Sequence, residues 1–198
     1  MNKNRVEAFT DAVIAIIMTI MILEFKVPET YLWSAMAGDL PYLFAYIVSF
    51  LFIGVAWYNH HYMFMILRRV TKRIYWINNL WLLTMSFIPV ATAWSGRFLN
   101  YRAPEYFYLV VFAVWSAAYW WLSRSIINAL RREGMVDQAL RIMAMPPYRF
   151  MNSWRLPAYT LIITVVIYFW PPGGLVATLC ELVYMAFHTN TDSDRVVE

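Results

Sequence analysis

Four long apolar stretches limit what this chain can become. About residues 6–25, 41–67, 74–94 and 105–127 are each nearly free of internal charge. Each meets the roughly 20 helical residues needed to cross a hydrocarbon layer about 30 Å thick. Backbone inside such a layer must satisfy its own N–H and C=O groups, and apolar segments of this length do so as helices. Two shorter runs, about 156–170 and 175–187, flank a PPGG break at 171–174 that suits a tight turn between antiparallel helices. With 62% of residues hydrophobic and 14% charged, a soluble globular domain is excluded. The expected fold is an all-α integral membrane protein, a single six-helix transmembrane domain over 1–198, with no second copy of its opening motif and no low-complexity segment.

The charges orient the spans. The net charge of +4 would permit nucleic-acid binding, but the basic residues sit in short clusters between apolar runs, so no nucleic-acid partner is expected. Lys3 and Arg5, the run RRVTKR at 68–73, the stretch from Arg131 to Arg155, and Arg195 fall on one side of a six-span arrangement. Only Lys26, Arg97 and Arg102 fall on the other. The positive-inside bias then makes this a multi-pass protein with both termini cytoplasmic. The 131–155 connection alternates apolar and basic residues and is expected to contain an interfacial amphipathic helix. At the amino terminus Asp11 interrupts the apolar run, and no small-residue cleavage site precedes Glu24 and Lys26, so a retained first helix is expected instead of a signal peptide.

Catalysis finds no home. Cys180 is the single cysteine, expected as a small buried hydrophobe, and it can form neither an intrachain disulfide nor a thiolate metal cluster. His60 and His61 are adjacent and diverge by about 100° on a helix, and no HExxH, GxSxG or phosphate-binding glycine loop accompanies them. No enzyme, cofactor or bound metal is expected.

The opening helix is more informative. At about 100° per residue, Phe9, Ala12, Ile16, Ile20 and Leu23 form one stripe with Thr19 on its flank, while Glu7 and Asp11 point nearly the opposite way. A carboxylate costs roughly 2.5–3.5 kcal/mol at the bilayer centre and less near its edge, so Asp11 is expected to find partners in the bundle interior. Donors stand on the next two helices, in WYNHHYMF at 57–64 and INNLWLLTMSFIP at 77–89. Spacing alone does not choose among Trp57, His60, His61, Asn78 and Asn79. A plainer reading makes the histidines interfacial polar residues. Thr19 has a plainer reading too, as a hydroxyl bonded back to its own helix.

These residues carry a resemblance. R-x-x-x-F-T-D at Arg5, Phe9, Thr10 and Asp11, ILEFKVP at 22–28, W-x-x-H-H at Trp57, His60 and His61, and NNLWLLTMSFIPVAT at 78–92 resemble the transmembrane protein 175 family of potassium channels. Threonine stands where that family has serine in its opening motif. Members with one six-helix repeat assemble as homotetramers, and the resemblance implies that arrangement here, in the plasma membrane of a bacterium. It implies that the first helix lines a central pore permeable to K⁺, with a hydrophobic constriction at Ile16, further apolar rings at Ile20 and Leu23, and selectivity associated with Thr19. It also implies that Arg5, Phe9, Thr10 and Asp11 pack against neighbouring helices. Arg5 lies near the stripe angle, so it either faces the pore mouth or bends back toward Asp11 or a neighbouring carbonyl. No TVGYG-like run supplies carbonyl cages, so pore width, hydroxyl oxygens and partial dehydration would give only modest K⁺ over Na⁺ selectivity.

Two other classes compete. Asp11 and the histidine pair suit a proton relay in a proton-coupled secondary transporter, but the prolines at 41, 89 and 157 do not recur in matched halves. A membrane scaffold or intramembrane enzyme would leave the polar mouth of the first helix with packing as its sole task.

Overall fold

The computed structural model describes residues 2–188, with side chains through Met185. Arg195, used in the charge argument, lies outside the described residues. The first helix, α1 (Lys3–Ile20), is capped by the Asn2 side chain, which accepts from the Asn4 N–H at 3.0 Å. It tightens into a 3₁₀ turn over Met21–Glu24. A second 3₁₀ turn, Trp33–Asp39, leads into α2 (Leu40–Ile66), whose Pro41 sits in the first turn where its missing N–H costs nothing.

After the basic loop come α3 (Lys72–Met85) and α4 (Ile88–Arg97). The span expected over 74–94 is one apolar segment, Lys72–Arg97, divided into two helices by a turn at 86–87. Pro89 cannot donate to a preceding carbonyl. Just before it, the hydroxyls of Thr84 and Ser86 bond back to Trp81 O at 2.8 Å and Leu83 O at 2.7 Å, drawing acceptors out of the helical ladder.

The longest helix, α5 (Arg102–Arg132), ends where Gly134 takes φ +76. That left-handed residue lets the N–H groups of Gly134 and Met135 return to Arg131 O and Leu130 O at 3.2 and 2.9 Å. The connection expected to hold one interfacial helix contains two short ones, α6 (Val136–Ala144) and α7 (Pro146–Met151), split at Pro146. The chain closes with α8 (Arg155–Phe169) and α9 (Gly173–His188), joined by the PPGG turn.

Among the described residues, four segments are long and apolar enough to cross a membrane: Lys3–Glu24, Trp33–Ile66, Lys72–Arg97 and Arg102–Arg132. The last two apolar helices have 15 and 16 residues and fall short of that length.

Packing centres on α2, α4 and α5, with α3 against α5. Trp81, Trp115 and Tyr119 form an aromatic core, with Trp115 and Tyr119 stacked at 5.5 Å and Phe52 edge-on to Trp115 at 4.7 Å. Gly96 permits α4 to approach α2 closely, because a Cβ there would lie 2.8 Å from the Tyr42 Cα. The α1 helix is held on one side only, by Val6, Thr10, Ile14, Ile17 and Met21. Cys180 corrects the expectation of a buried thiol: it is exposed on α9, in a pocket lined also by Tyr148 and Tyr159.

Candidate functional site

The two faces of α1 have opposite chemistry. Its buried face ends in a polar contact: Thr10 is fully buried and donates to Val6 O at 2.9 Å, while accepting from the Asn78 amide at 2.8 Å. Asn78, also fully buried, uses its carbonyl oxygen toward His60 Nε2 at 2.8 Å. Since the Asn78 nitrogen serves Thr10, its oxygen must be the acceptor, which assigns the proton to Nε2 of His60. A directional chain thus runs His60 to Asn78 to Thr10 to Val6 O, across α2, α3 and α1. The imidazole is clamped between Phe64 at 4.2 Å and Trp81 at 4.8 Å, nearly parallel to the latter. At the same end, Lys3 Nζ donates to Met65 O at 3.0 Å, a cation at the carboxyl end of α2.

Asp11 meets one of the donors expected on α2, but at the surface of this chain and not in its interior. It is exposed, on the edge of α1, and accepts from Trp57 Nε1 at 2.8 Å. His61 stacks on the same indole at 5.8 Å and does not join the buried chain. Asn79, next to Asn78, is half-buried on a different side of α3. Arg5 is exposed with no partner among the described residues.

The other face of α1 is bare. Phe9, Ala12, Ile16, Thr19, Ile20 and Leu23 are all exposed, Ile16 at 57% and Leu23 at 78%. On a helical wheel the middle of the buried arc lies opposite Thr19. The Thr19 hydroxyl donates to its own helix, with Ala15 O at 2.9 Å and Ile16 O at 3.0 Å. With its proton turned inward, the oxygen presents lone pairs to whatever lies in front of this face.

A second polar group sits inside the bundle and was not singled out by spacing. Thr92 donates to Ser49 at 2.7 Å, and Ser49 shares a 3.0 Å hydrogen bond with Tyr108, joining α4, α2 and α5. Nearby, Glu105 is 1% exposed, and its carboxyl packs on Gly174 in the first turn of α9, close to Ser95 and the Leu175 backbone. Its signal was available in the sequence, as an acidic residue at the start of a span. No group of three or more His, Cys, Asp or Glu among the described residues could hold a metal ion.

A multi-pass α-helical membrane protein whose first span turns an uncovered, mostly apolar face away from its own core is the class that this fold defines. The family described as "Endosomal/lysosomal potassium channel TMEM175" matches residues 5–89, which cover most of α1, all of α2 and α3 and the first residues of α4. The chain is 38% identical over 140 residues to "Potassium channel HX13_20290" of Chryseobacterium, covering 71% of this chain and 73% of that protein. It is 37% identical over 138 residues to "Potassium channel B446_29190" of Streptomyces collinus, covering 63% and 67%. The human "Endosomal/lysosomal proton channel TMEM175" is 32% identical over 117 residues, 53% of this chain but 23% of that protein. The fold matches the crystal structure of a lysosomal potassium-selective channel TMEM175 homolog from Chamaesiphon minutus with a TM-score of 0.76 at 25% identity, covering 96% of this chain and 98% of that one. The chain belongs to the TMEM175 family.

Proposed function

We propose that this chain is one subunit of a homotetrameric, potassium-permeable cation channel of a bacterial plasma membrane, with no catalytic step. Each subunit crosses the bilayer six times, with α8 and α9 as the short fifth and sixth spans and both termini cytoplasmic. The observation that carries the reading is the bare face of α1, where Ile16, Thr19, Ile20 and Leu23 are all exposed on the side opposite the buried contacts. Four copies around an axis would cover this face and make it a pore wall, which a single bundle has no room to enclose.

The residues then divide the work by physical type. A ring of Ile16 side chains narrows an apolar neck, which closes a pore by dewetting. Ile20 and Leu23 extend that apolar wall. Four Thr19 hydroxyl oxygens, their protons held by Ala15 and Ile16 carbonyls, offer a cation partial replacement for lost water. A hydroxyl ring supplies fewer oxygens than a carbonyl cage, so K⁺ passes in preference to Na⁺ only modestly. The Thr10–Asn78–His60 chain and the Asp11–Trp57 contact fix the rotation of α1, so that Ile16 and not Ile17 meets the axis.

The test is current through the purified protein in a planar bilayer with K⁺ on one side and Na⁺ on the other. A reversal potential displaced toward the potassium value is expected, with Ile16→Asn raising basal conductance by hydrating the neck. An unchanged conductance from a folded Ile16→Asn tetramer removes Ile16 as the gate, and no current from verified wild-type tetramers removes the channel reading.

A further inference from the structure

Where the basic loop enters α3, the first turn of that helix and the last turns of α5 enclose a cavity of about 330 Å³. Its lining includes Arg69, Arg73, Ser125, Asn128, Arg132 and Glu133. Three guanidinium groups face one carboxylate, and that carboxylate is taken: Arg69 Nε lies 2.8 Å from Glu133 Oε1. Arg73 and Arg132 have no carboxylate partner among the described residues, so the cavity keeps an excess of positive charge. It also lies beyond the apolar part of the spans, at the end of the bundle where Arg68, Lys72 and Arg131 add to the same field.

The wall between the arginines is polar as well. Ser125 is 7% exposed and lines this cavity, so its side chain forms part of the wall beside the arginines. The opposite wall contributes donors as well. Thr71 caps α3 by accepting the Ile74 N–H at 3.2 Å, and the first N–H groups of a helix that begins at Lys72 project outward from such a cap.

We propose that this cavity binds a phosphorylated polyanion. Paired guanidinium forks match phosphate oxygens in plane and spacing, and the Ser125 hydroxyl and the Asn128 amide add donors beside a single, already neutralised carboxylate. The volume lies within the range of small-molecule sites, about 300–1,000 Å³, and exceeds what one simple anion fills. The phosphate source is either a soluble polyphosphorylated compound or a phosphorylated lipid headgroup. Asn78 stands on the same helix two turns beyond Thr71, so an occupant that draws α3 toward α5 bears on the contact that holds α1. That coupling rests on the channel reading, whereas binding itself does not.

The experiment is calorimetric titration of the full chain in detergent micelles with tripolyphosphate, repeated by cosedimentation with nanodiscs of neutral phospholipid with and without a phosphorylated inositol lipid. Saturable binding of one ligand per subunit is expected. Arg73→Gln or Arg132→Gln should weaken it about tenfold or more each, the worth of one charge-assisted hydrogen bond. Ser125→Ala should weaken it several-fold, and Glu133→Gln should strengthen it by releasing Arg69. Tripolyphosphate binding in micelles with this pattern assigns a soluble ligand, and headgroup-dependent capture with the same pattern assigns a lipid. Failure of both probes to bind, or binding that is equal in wild type and the Arg73→Gln/Arg132→Gln variant, overturns the proposal. Both arginines are exposed, so their replacement leaves the core untouched.

Discussion

Removing Asn78 should release α1 from the bundle by an amount that the structure sets. In Asn78→Ala the His60 Nε2–H loses its acceptor and Thr10 loses a donor, while Thr10 keeps its own bond to Val6 O. The larger cost is the unpaired imidazole N–H, since buried donors left without partners cost about 1–3 kcal/mol. Interhelical hydrogen bonds inside membranes sit at the low end, averaging about 0.6 and reaching about 1.7 kcal/mol in double-mutant cycles. Asn78→Ala is therefore expected to cost about 2 kcal/mol, and Thr10→Val about 1 kcal/mol. The two together should fall short of their sum by about 0.5–1.5 kcal/mol, because one bond is counted in both. Asn79→Ala, one position along and outside the chain, should stay within about 0.5 kcal/mol of wild type. Reversible unfolding in mixed micelles, followed by tryptophan fluorescence, measures all four. Additivity of Asn78→Ala and Thr10→Val, or an Asn79→Ala effect equal to that of Asn78→Ala, would refute the assignment of the buried chain as the tether.

Three further perturbations probe other parts of the bundle. Gly96→Ala places a methyl 2.8 Å from the Tyr42 Cα, where backbone and not a flexible side chain must yield, so a loss of about 1–3 kcal/mol is expected in thermal unfolding. Gly54→Ala, with no heavy atom within 4 Å of the new methyl, is the neutral control, and equal losses would mean that close approach is not what Gly96 provides. Trp57→Phe removes the indole donor to Asp11 and should cost about 1 kcal/mol, below the range for buried charge-assisted bonds because Asp11 is exposed; a loss as large as that of Asn78→Ala would place Asp11 in a buried setting. Thr19→Val, nearly isosteric, should lower the K⁺ to Na⁺ permeability ratio in bilayers, and an unaltered ratio would return Thr19 to its helix-bonded role alone.

Period and span length made much of this architecture legible. The direction of each α1 side chain follows from helical rotation, so Ile16 and Ile17 could be told apart without coordinates. Pro89 inside an apolar run marked a weak point, but the chain length of that run concealed a break that the hydroxyls of Thr84 and Ser86 help to make. Neighbouring residues of the same type were harder. His60 and His61, or Asn78 and Asn79, differ by one rotation step, and which of each pair is buried depends on how α2 and α3 pack, a tertiary fact with no local signature. Asp11 shows both sides of this: the Trp57 indole was among the donors expected for it, but that the pair lies at the exposed edge of α1 is again a matter of how the helices pack. Cys180 shows the same limit, because either face of α9 was apolar enough to turn inward.

The unequal lengths of the helices have a consequence for the surrounding lipid. At 1.5 Å per residue, α5 with 31 residues reaches roughly 46 Å, whereas α8 with 15 reaches roughly 22 Å. If α8 and α9 form the outer wall of each subunit, the annulus of lipid against them meets a hydrophobic height several ångströms below that of an average bilayer. Thinner membranes wet that wall at little cost, and thicker ones must pinch or tilt the pair, which ties the conformational balance of the bundle to acyl-chain length.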